Sequence, residues 1–189
     1  MEQGMGKRFA AVFILAALPF TSNAGGPADQ ARSFAEIYTS LCMKHLTNLD
    51  ALREKLKQVP KLAPEQARHF LSGRSGDAWS VPDKHGTFVL ALPHQKNLCA
   101  VYARRADTRA AEKLFVERVG TAPAPLIGKR TADDHARTAS GPTHTLAYEW
   151  GVPKAGKKMV FTLTTAASDT AQVQVLGTAA IANADRAPD

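Results

Sequence analysis

Residues 86–105 read GTFVLALPHQKNLCAVYARR, and this stretch decides the fold class. Along 86–92, large apolar side chains occupy every second position, and a second run rich in β-forming residues returns at 97–105. The short segment between the two runs contains proline and polar residues. This pattern is typical of two antiparallel strands joined by a short loop. The sequence therefore predicts a β-hairpin here.

Three further strands are predicted toward the C-terminus, because turn-forming residues separate runs of alternating side chains there. Their approximate bounds are 143–152, 158–166 and 172–180. Strands that follow one another without intervening helices favour antiparallel pairing. Residues 121–141 are rich in Ala, Thr, Pro and Gly and are predicted to form a long connection. Residues 181–189 are predicted to be a frayed tail.

Helical periodicity dominates the part of the chain that precedes these strands. Residues 29–46 place apolar side chains three and four positions apart, with Phe34, Tyr38 and Cys42 on one face, which is the pattern of an amphipathic helix. Further helices are predicted at about 48–59, 64–71 and 107–120. Helices of this kind bury their apolar stripe against a sheet. The sequence thus predicts an α+β fold in which N-terminal helices pack on a mainly antiparallel sheet, as a single domain over 25–180.

Residues 1–24 have the features of a secretory signal peptide. Two basic residues precede an apolar run at 9–18, which is shorter than the roughly 20 residues of a transmembrane helix but suits the apolar region of a signal. Small residues stand before an expected cleavage site after Ala24, so we expect a periplasmic or secreted mature chain. The alternative is a buried N-terminal helix. No later apolar run is long enough to predict a transmembrane span.

The two cysteines, Cys42 and Cys99, are the only cysteines in the chain. In an oxidising compartment, two thiols in one small domain most often form a disulfide. The sequence therefore predicts a Cys42–Cys99 bond that joins the first helix to the hairpin. The alternative makes Cys99 a nucleophile assisted by His94 or His85, but its apolar neighbours would raise the thiol pKa instead of lowering it.

The chain is basic, with 24 Lys and Arg against 17 Asp and Glu and a formal net charge of +7 over 189 residues. Arg74, Arg104 and Arg105 surround the predicted hairpin and are candidate ligand-binding residues. Anionic partners of a basic envelope protein are lipid head groups and peptidoglycan; another envelope protein is a further candidate partner. Nucleic acid is not expected, because the chain has no motif that binds it. The alternative interpretation of the basic residues is solubility alone.

Two tryptophans are further candidates for ligand binding. Trp79 and Trp150, together with Tyr102 and Tyr148, would supply aromatic contact area with polar handles to a ligand groove. The alternative interpretation is that these few aromatic residues belong to the core. The sequence alone leaves both interpretations open.

Motifs that carry catalytic or metal chemistry are weak in this chain. Ser75 in Gly73-Arg74-Ser75-Gly76 lacks the glycine that a nucleophile elbow has two positions later, so the segment is predicted to be a turn. The six histidines show no metal-binding spacing. Asp133-Asp134-His135, the densest group of donors, is predicted to be a solvated charge run. No catalytic residue, cofactor or metal site is therefore assigned from the sequence.

Five short segments within about residues 30–120 form a pattern behind the predicted signal peptide. They are Phe-x-x-x-Tyr-x-x-x-Cys at 34–42, Phe70-Leu71-Ser72-Gly73, Gly76-Asp77-Ala78-Trp79, Gly86-Thr87-Phe88-Val89-Leu90 and Cys99-Ala100-Val101-Tyr102. The pattern resembles a small family of uncharacterised exported or lipid-anchored proteobacterial proteins. This resemblance implies export and a two-cysteine domain without a known reaction. The chain has no lipidation cysteine like that of the anchored members.

These observations together favour a secreted, non-enzymatic binding or accessory protein of the bacterial envelope. Two alternatives remain at the level of sequence. One is a hydrolase that acts on envelope polymers, which would place close titratable groups in a cleft. The other is a protein inhibitor or a subunit of an envelope assembly, which would carry a contiguous apolar surface patch.

Overall fold

The computed structural model describes residues 25–139 and 141–184. The predicted signal peptide at 1–24 and the last residues, 185–189, lie outside the described part. The α-helices within it are α1 (Pro27–Ile37), α2 (Leu49–Lys55), α3 (Pro64–Phe70) and α4 (Thr108–Val119). A π-helical segment, Tyr38–Met43, continues α1. The strands are β1 (Gly76–Asp83), β2 (Gly86–Pro93), β3 (Leu98–Ala103), β4 (Ile127–Thr138), β5 (Gly141–Gly151), β6 (Lys157–Ala166) and β7 (Val175–Asn183).

The strands form one antiparallel sheet in the order β1-β2-β3-β7-β6-β5-β4. The predicted hairpin is β2 and β3, in which Phe88 pairs with Ala103 and Ala91 pairs with Ala100. At the centre, β3 pairs with β7 and joins the first three strands to the last four. The predicted α+β class, with N-terminal helices packed on an antiparallel sheet, is confirmed.

Two predicted irregular segments are wrong at least in part. The connection predicted at 121–141 contains β4, which pairs with β5 and forms one edge of the sheet. Most β4 side chains are exposed, so the strand lacks the buried apolar positions that reveal strands in a sequence. Residues 181–183, predicted to belong to a frayed tail, are the end of β7, which starts three residues after the predicted strand and extends to Asn183.

The main core lies between one face of the sheet and the layer of α1, its π-helical continuation, α2 and α4. In the helical layer Phe34 stacks on Tyr38, and Tyr38 packs against Phe115 of α4. Leu163 of β6 and Val101 of β3 are fully buried in the same cluster. The Tyr38 hydroxyl donates a hydrogen bond to the Thr178 carbonyl at 2.7 Å. The burial of this helix face, predicted from its 3.6-residue period, is confirmed.

The opposite face of the sheet is only partly covered. There α3 packs over β1, β2 and β3, where Ala67 and Leu71 contact the small side chains of Ala78, Ala91 and Ala100. Small residues on the strands allow the short helix to approach closely. On this side of the sheet, α3 does not cover β7, β6 and β5, apart from the contact of Leu176 with the second cluster.

The disulfide between Cys42 and Cys99 joins the π-helical segment to β3. Both residues are 0% exposed, and their Cα atoms are 5.4 Å apart, a separation typical of disulfides. The predicted bond is therefore confirmed. The alternative of a nucleophilic Cys99 is wrong, since its sulfur is bonded to Cys42.

Breaking this disulfide should destabilise the domain. The bond closes a loop between residues separated by 57 positions, for which chain entropy gives up to about 4 kcal/mol. We expect the urea-unfolding free energy of Cys42→Ala/Cys99→Ala to fall by about 2–4 kcal/mol. Wild-type protein unfolded in the presence of dithiothreitol provides the same comparison without substitution. An unchanged midpoint in both experiments would contradict a structural role.

Gly177 of β7 should tolerate no side chain, because α1 lies directly on it. A Cβ there would stand 2.7 Å from Cζ of Phe34 and 3.1 Å from a ring carbon of Tyr38. Both rings are buried and cannot swing away. We expect Gly177→Ala to lower the unfolding free energy by about 1–3 kcal/mol through overpacking. Gly156→Ala, at a position with nothing within 4 Å, is the matched control and should unfold like wild type.

Candidate functional site

A cleft of about 570 Å³ runs along the uncovered faces of β7 and β6 and the start of β3, beside the strands that α3 covers. Its floor combines apolar and hydroxyl side chains, namely Leu98, Val160, Thr162, Thr164, Leu176, Thr178 and Ala180. They share one face because side chains alternate along each strand and the neighbouring strands are in register. The volume lies within the range of small-molecule sites, about 300–1,000 Å³.

Two cationic side chains, Arg74 and Lys96, line one end of this cleft. Both are exposed, and neither has an ion-pair partner within the described residues. Arg74 follows the left-handed turn at Ser72 and Gly73, and Lys96 follows Gln95, which is also left-handed. These two turns bring the cations from separate loops to the same end of the sheet.

The other two candidate arginines lie elsewhere. Arg104 and Arg105 follow the C-terminal end of β3 and line a separate depression with Asp83 and His85. Arg74 lies two residues before Gly76, at the opposite end of the eight-residue strand β1, whose length is roughly 25 Å. The prediction that these arginines form one cluster is therefore wrong. Arg74 and Arg104 flank the same group of strands in the sequence, but they lie at opposite ends of those strands in the fold.

Of the two interpretations of the tryptophans, the structure supports the core and not the aromatic groove. Trp79 is 1% exposed and Trp150 is 8% exposed, and both side chains belong to the main core. The indole of Trp150 packs edge-on against Phe161 and donates to the Val119 carbonyl at 2.8 Å. Both tryptophans therefore stabilise the contact between helices and sheet, and neither lines the cleft.

The turn predicted at Gly73–Gly76 is confirmed in part: the chain turns through the left-handed Ser72 and Gly73, and Gly76 already belongs to β1. Nearby, His94 has its Nε2 3.4 Å from the Asp77 carboxylate, which also accepts from Lys61 at 2.7 Å. Although partial burial raises the pKa of Asp77, the hydrogen bonds from Lys61 and His94 outweigh this and lower it below its ordinary value. These contacts connect the start of β1 to the neighbouring loops.

A second polar cluster is centred on His144 of β5. Its Nε2 lies 2.8 Å from an Asp133 carboxylate oxygen on β4, and its Nδ1 lies 3.1 Å from a Glu112 carboxylate oxygen on α4. The Thr165 hydroxyl of β6 donates to the same Glu112 oxygen at 2.5 Å. Across the strand pair, His135 stacks on His144 with ring centroids 4.1 Å apart. Three elements thus converge on one imidazole.

Electrostatics couples the members of this His144 cluster. The hydrogen bond with Asp133, followed by that with Glu112, raises the pKa of His144 above its ordinary value despite partial burial. The same bond from His144 lowers the pKa of Asp133. The side chain of His144 is 20% exposed and that of Glu112 is 24% exposed, so solvent reaches the cluster.

The His144 cluster was not indicated by sequence spacing, because its members come from α4, β4, β5 and β6. The dense donor segment Asp133-Asp134-His135 was its one visible signal. The composition of that segment predicts a connection, and the strand register that brings His135 opposite His144 is set only by pairing with β5. The alternation of β5, which places His144 on the same face as Leu146 and Tyr148, was the second half of the signal.

Comparison of the chain with protein-family models, with curated proteins and with solved structures finds no match. Within the described residues, no helix has the length and apolar character required to cross a membrane.

The stability of the domain should depend on pH through His144. Because its pKa is raised in the folded protein, its contribution is fully present below the unfolded value of 6.5 and is lost as the pH rises through the folded pKa. Between about pH 5.5 and 8.5, we expect the urea-unfolding free energy of wild type to fall more than that of His144→Gln. The exposed His69→Gln is the control and should follow wild type. Parallel profiles for wild type and H144Q would contradict the prediction.

Proposed function

We propose that this chain is an exported, non-enzymatic binding or accessory protein of the bacterial envelope, and that its cleft binds an anionic lipid. The observation that carries this proposal is the pair of unpartnered cations, Arg74 and Lys96, at one end of a cleft with an apolar and hydroxyl-bearing floor. An amphiphile with one negative head group has the complementary pattern of charge and apolarity.

Two features support export to the periplasm or beyond. The apolar run at 9–18 follows two basic residues, as in signal peptides. The buried bond between Cys42 and Cys99 is of a kind that persists in oxidising compartments. The resemblance of the sequence to exported two-cysteine proteobacterial proteins also supports export. We propose that the chain belongs to that family.

The dimensions and chemistry of the cleft support a lipid over a polysaccharide. Its floor extends along β7 from Ala180, close to the cations, to Leu176, which packs against the α3 cluster. Four residues of strand correspond to roughly 13 Å, enough for the first part of an acyl chain. The two cations would contact the phosphate of the lipid head group, and Leu98 and Leu176 would contact its acyl chain. A peptidoglycan carboxylate would pair with the cations, but the polar polymer would make no use of the apolar side chains on the cleft floor.

The alternative of a hydrolase has less support. Within the described residues, the closest arrangement to a catalytic site is His144 with Glu112 and Thr165. There the threonine hydroxyl donates to Glu112 instead of to the imidazole, and Thr165 is buried. A nucleophile must be accessible and must contact its base. This geometry favours a binding function over hydrolysis.

The alternative of an inhibitor or assembly subunit also has less support. The large apolar side chains exposed in the described part are Val116, Ile127 and Val152. Protein-binding sites of this class present extended apolar patches. Of these, Ile127 and Val152 line one depression at the end of β5, and two side chains do not form an extended patch.

Lipid binding is tested by co-sedimentation with vesicles of phosphatidylglycerol and with vesicles of phosphatidylcholine. We expect binding to the phosphatidylglycerol vesicles, weakening with salt because the contact includes ion pairing. Arg74→Ala/Lys96→Ala should weaken it by about 10- to 30-fold, since each cation near a lipid surface contributes about 1 kcal/mol. Thr178→Phe, which fills the cleft floor without changing charge, should also weaken it.

The matched control is Arg104→Ala/Arg105→Ala, which removes the same charge from the opposite end of the strands and should bind nearly as wild type does. Equal losses in the two double variants would mean that overall charge, not the cleft, attracts the vesicles. That result, or an absence of binding to phosphatidylglycerol, would overturn the proposed ligand.

A further inference from the structure

We propose that Asp133, His135 and His144 form a binding site for a divalent transition-metal cation of the Zn²⁺ type, on the helix-side face of the sheet at the β4–β5 edge. This site is separate from the cleft, which lies on the opposite face. The two proposals therefore stand or fail independently.

The donor atoms already lie close together. One ligand atom from each of the three side chains lies within 4.8 Å of the other two. His135 and His144 occupy directly opposed positions of the β4–β5 pair, where side chains on one face are neighbours. Asp133 lies on the same face of β4, two positions from His135. The approach of these donors is therefore set by strand register.

Only small movements would complete a coordination shell. The Nε2 of His144 and an oxygen of Asp133 are 2.8 Å apart. In a tetrahedral site with metal–ligand distances of about 2.0–2.2 Å, two donors stand roughly 3.4 Å apart. A movement of about 0.6 Å in the exposed Asp133 side chain would open this space. The ring of His135 is stacked on His144 with 9° between the two planes, so it would have to rotate about its side-chain torsions to direct a nitrogen at the same ion. Its exposure leaves room for this rotation.

The surroundings of His144 orient it as a metal ligand. Its Nδ1 faces Glu112 at 3.1 Å, so Nδ1–H is donated to that carboxylate. On the other side, Nε2 donates to Asp133 in the metal-free protein, and a bound cation would replace the proton on Nε2. Thr165 donates to Glu112 and holds that carboxylate in place. A carboxylate that accepts from the second nitrogen of a ligating histidine is the usual outer partner in such sites. A solvated charge run would have neither the contact between His144 and Glu112 nor the one between Thr165 and Glu112.

The donor set selects the class of cation. Two imidazoles and one carboxylate suit Zn²⁺, Cu²⁺ and Ni²⁺, whereas Mg²⁺ and Ca²⁺ prefer shells of oxygen atoms. Three protein ligands leave a fourth position of a tetrahedral ion open to solvent. The exposure of Asp133 and His135 makes the site accessible to a cation from the surrounding medium.

Calorimetric titration of the purified full chain with zinc chloride tests the site. We expect one Zn²⁺ per chain, and loss of this binding in His135→Ala and in His144→Ala. Because His144 also holds β4 against α4, the exposed His135 provides the variant that leaves those contacts in place. Glu112→Gln should weaken the affinity by about 10- to 100-fold, as for other outer partners of ligating histidines.

Two matched controls accompany these variants. Asp134→Asn removes the adjacent carboxylate, which pairs opposite Thr145 and so points to the other face, and His69→Ala removes an exposed histidine of α3. Both should bind Zn²⁺ as wild type does. With Cu²⁺ as a second probe, the electron paramagnetic resonance spectrum of wild type should contain nitrogen couplings that H135A reduces. The proposal is overturned if wild type binds no stoichiometric Zn²⁺, or if H135A binds it with unchanged affinity.

Discussion

The helices of this protein cover one face of the sheet nearly to its edge and the other face only in part. On the first face, α1 with its π-helical continuation and α4 lie over the sheet from its edge strand β1 across to β5, and the other edge strand, β4, lies outside this layer. On the second face, α3 covers only β1 to β3. Both candidate sites occur where coverage ends, because polar groups on a sheet remain accessible only where no helix packs on them.

Coverage of the central strands depends on close approach of α1 to β7. Gly177 leaves room for Phe34 and Tyr38, and the Tyr38 hydroxyl satisfies a strand carbonyl at 2.7 Å. The Cys42–Cys99 bond then attaches the same helical layer to β3, the strand that pairs with β7. The helical layer, the disulfide and the β3–β7 pair therefore stabilise one another. The cleft and the His144 cluster are positioned by the strands that extend from this pair.

Particular residues show where sequence patterns succeed and fail. The period of the first helix and the alternation of β2 report directly on burial, so Phe34, Cys42 and Phe88 were correctly placed facing the core. Strand β4 has no buried apolar stripe, because an edge strand outside the helical layer has no core to face. The basic residues around the first hairpin were grouped by sequence proximity, but Arg74 and Arg104 lie at opposite ends of extended strands.

By itself, the sequence determined the α+β class, the helical and most of the strand segments, and the single cysteine pair, since each follows from local periodicity or from counting. Only the tertiary structure decided that Arg74 and Lys96 line the same cleft, that Trp79 and Trp150 are core residues, and that His144 contacts Asp133 and Glu112. The physical reason is that these contacts join residues far apart in the chain. Their geometry depends on strand register and on the extent of helix packing, which no local pattern encodes.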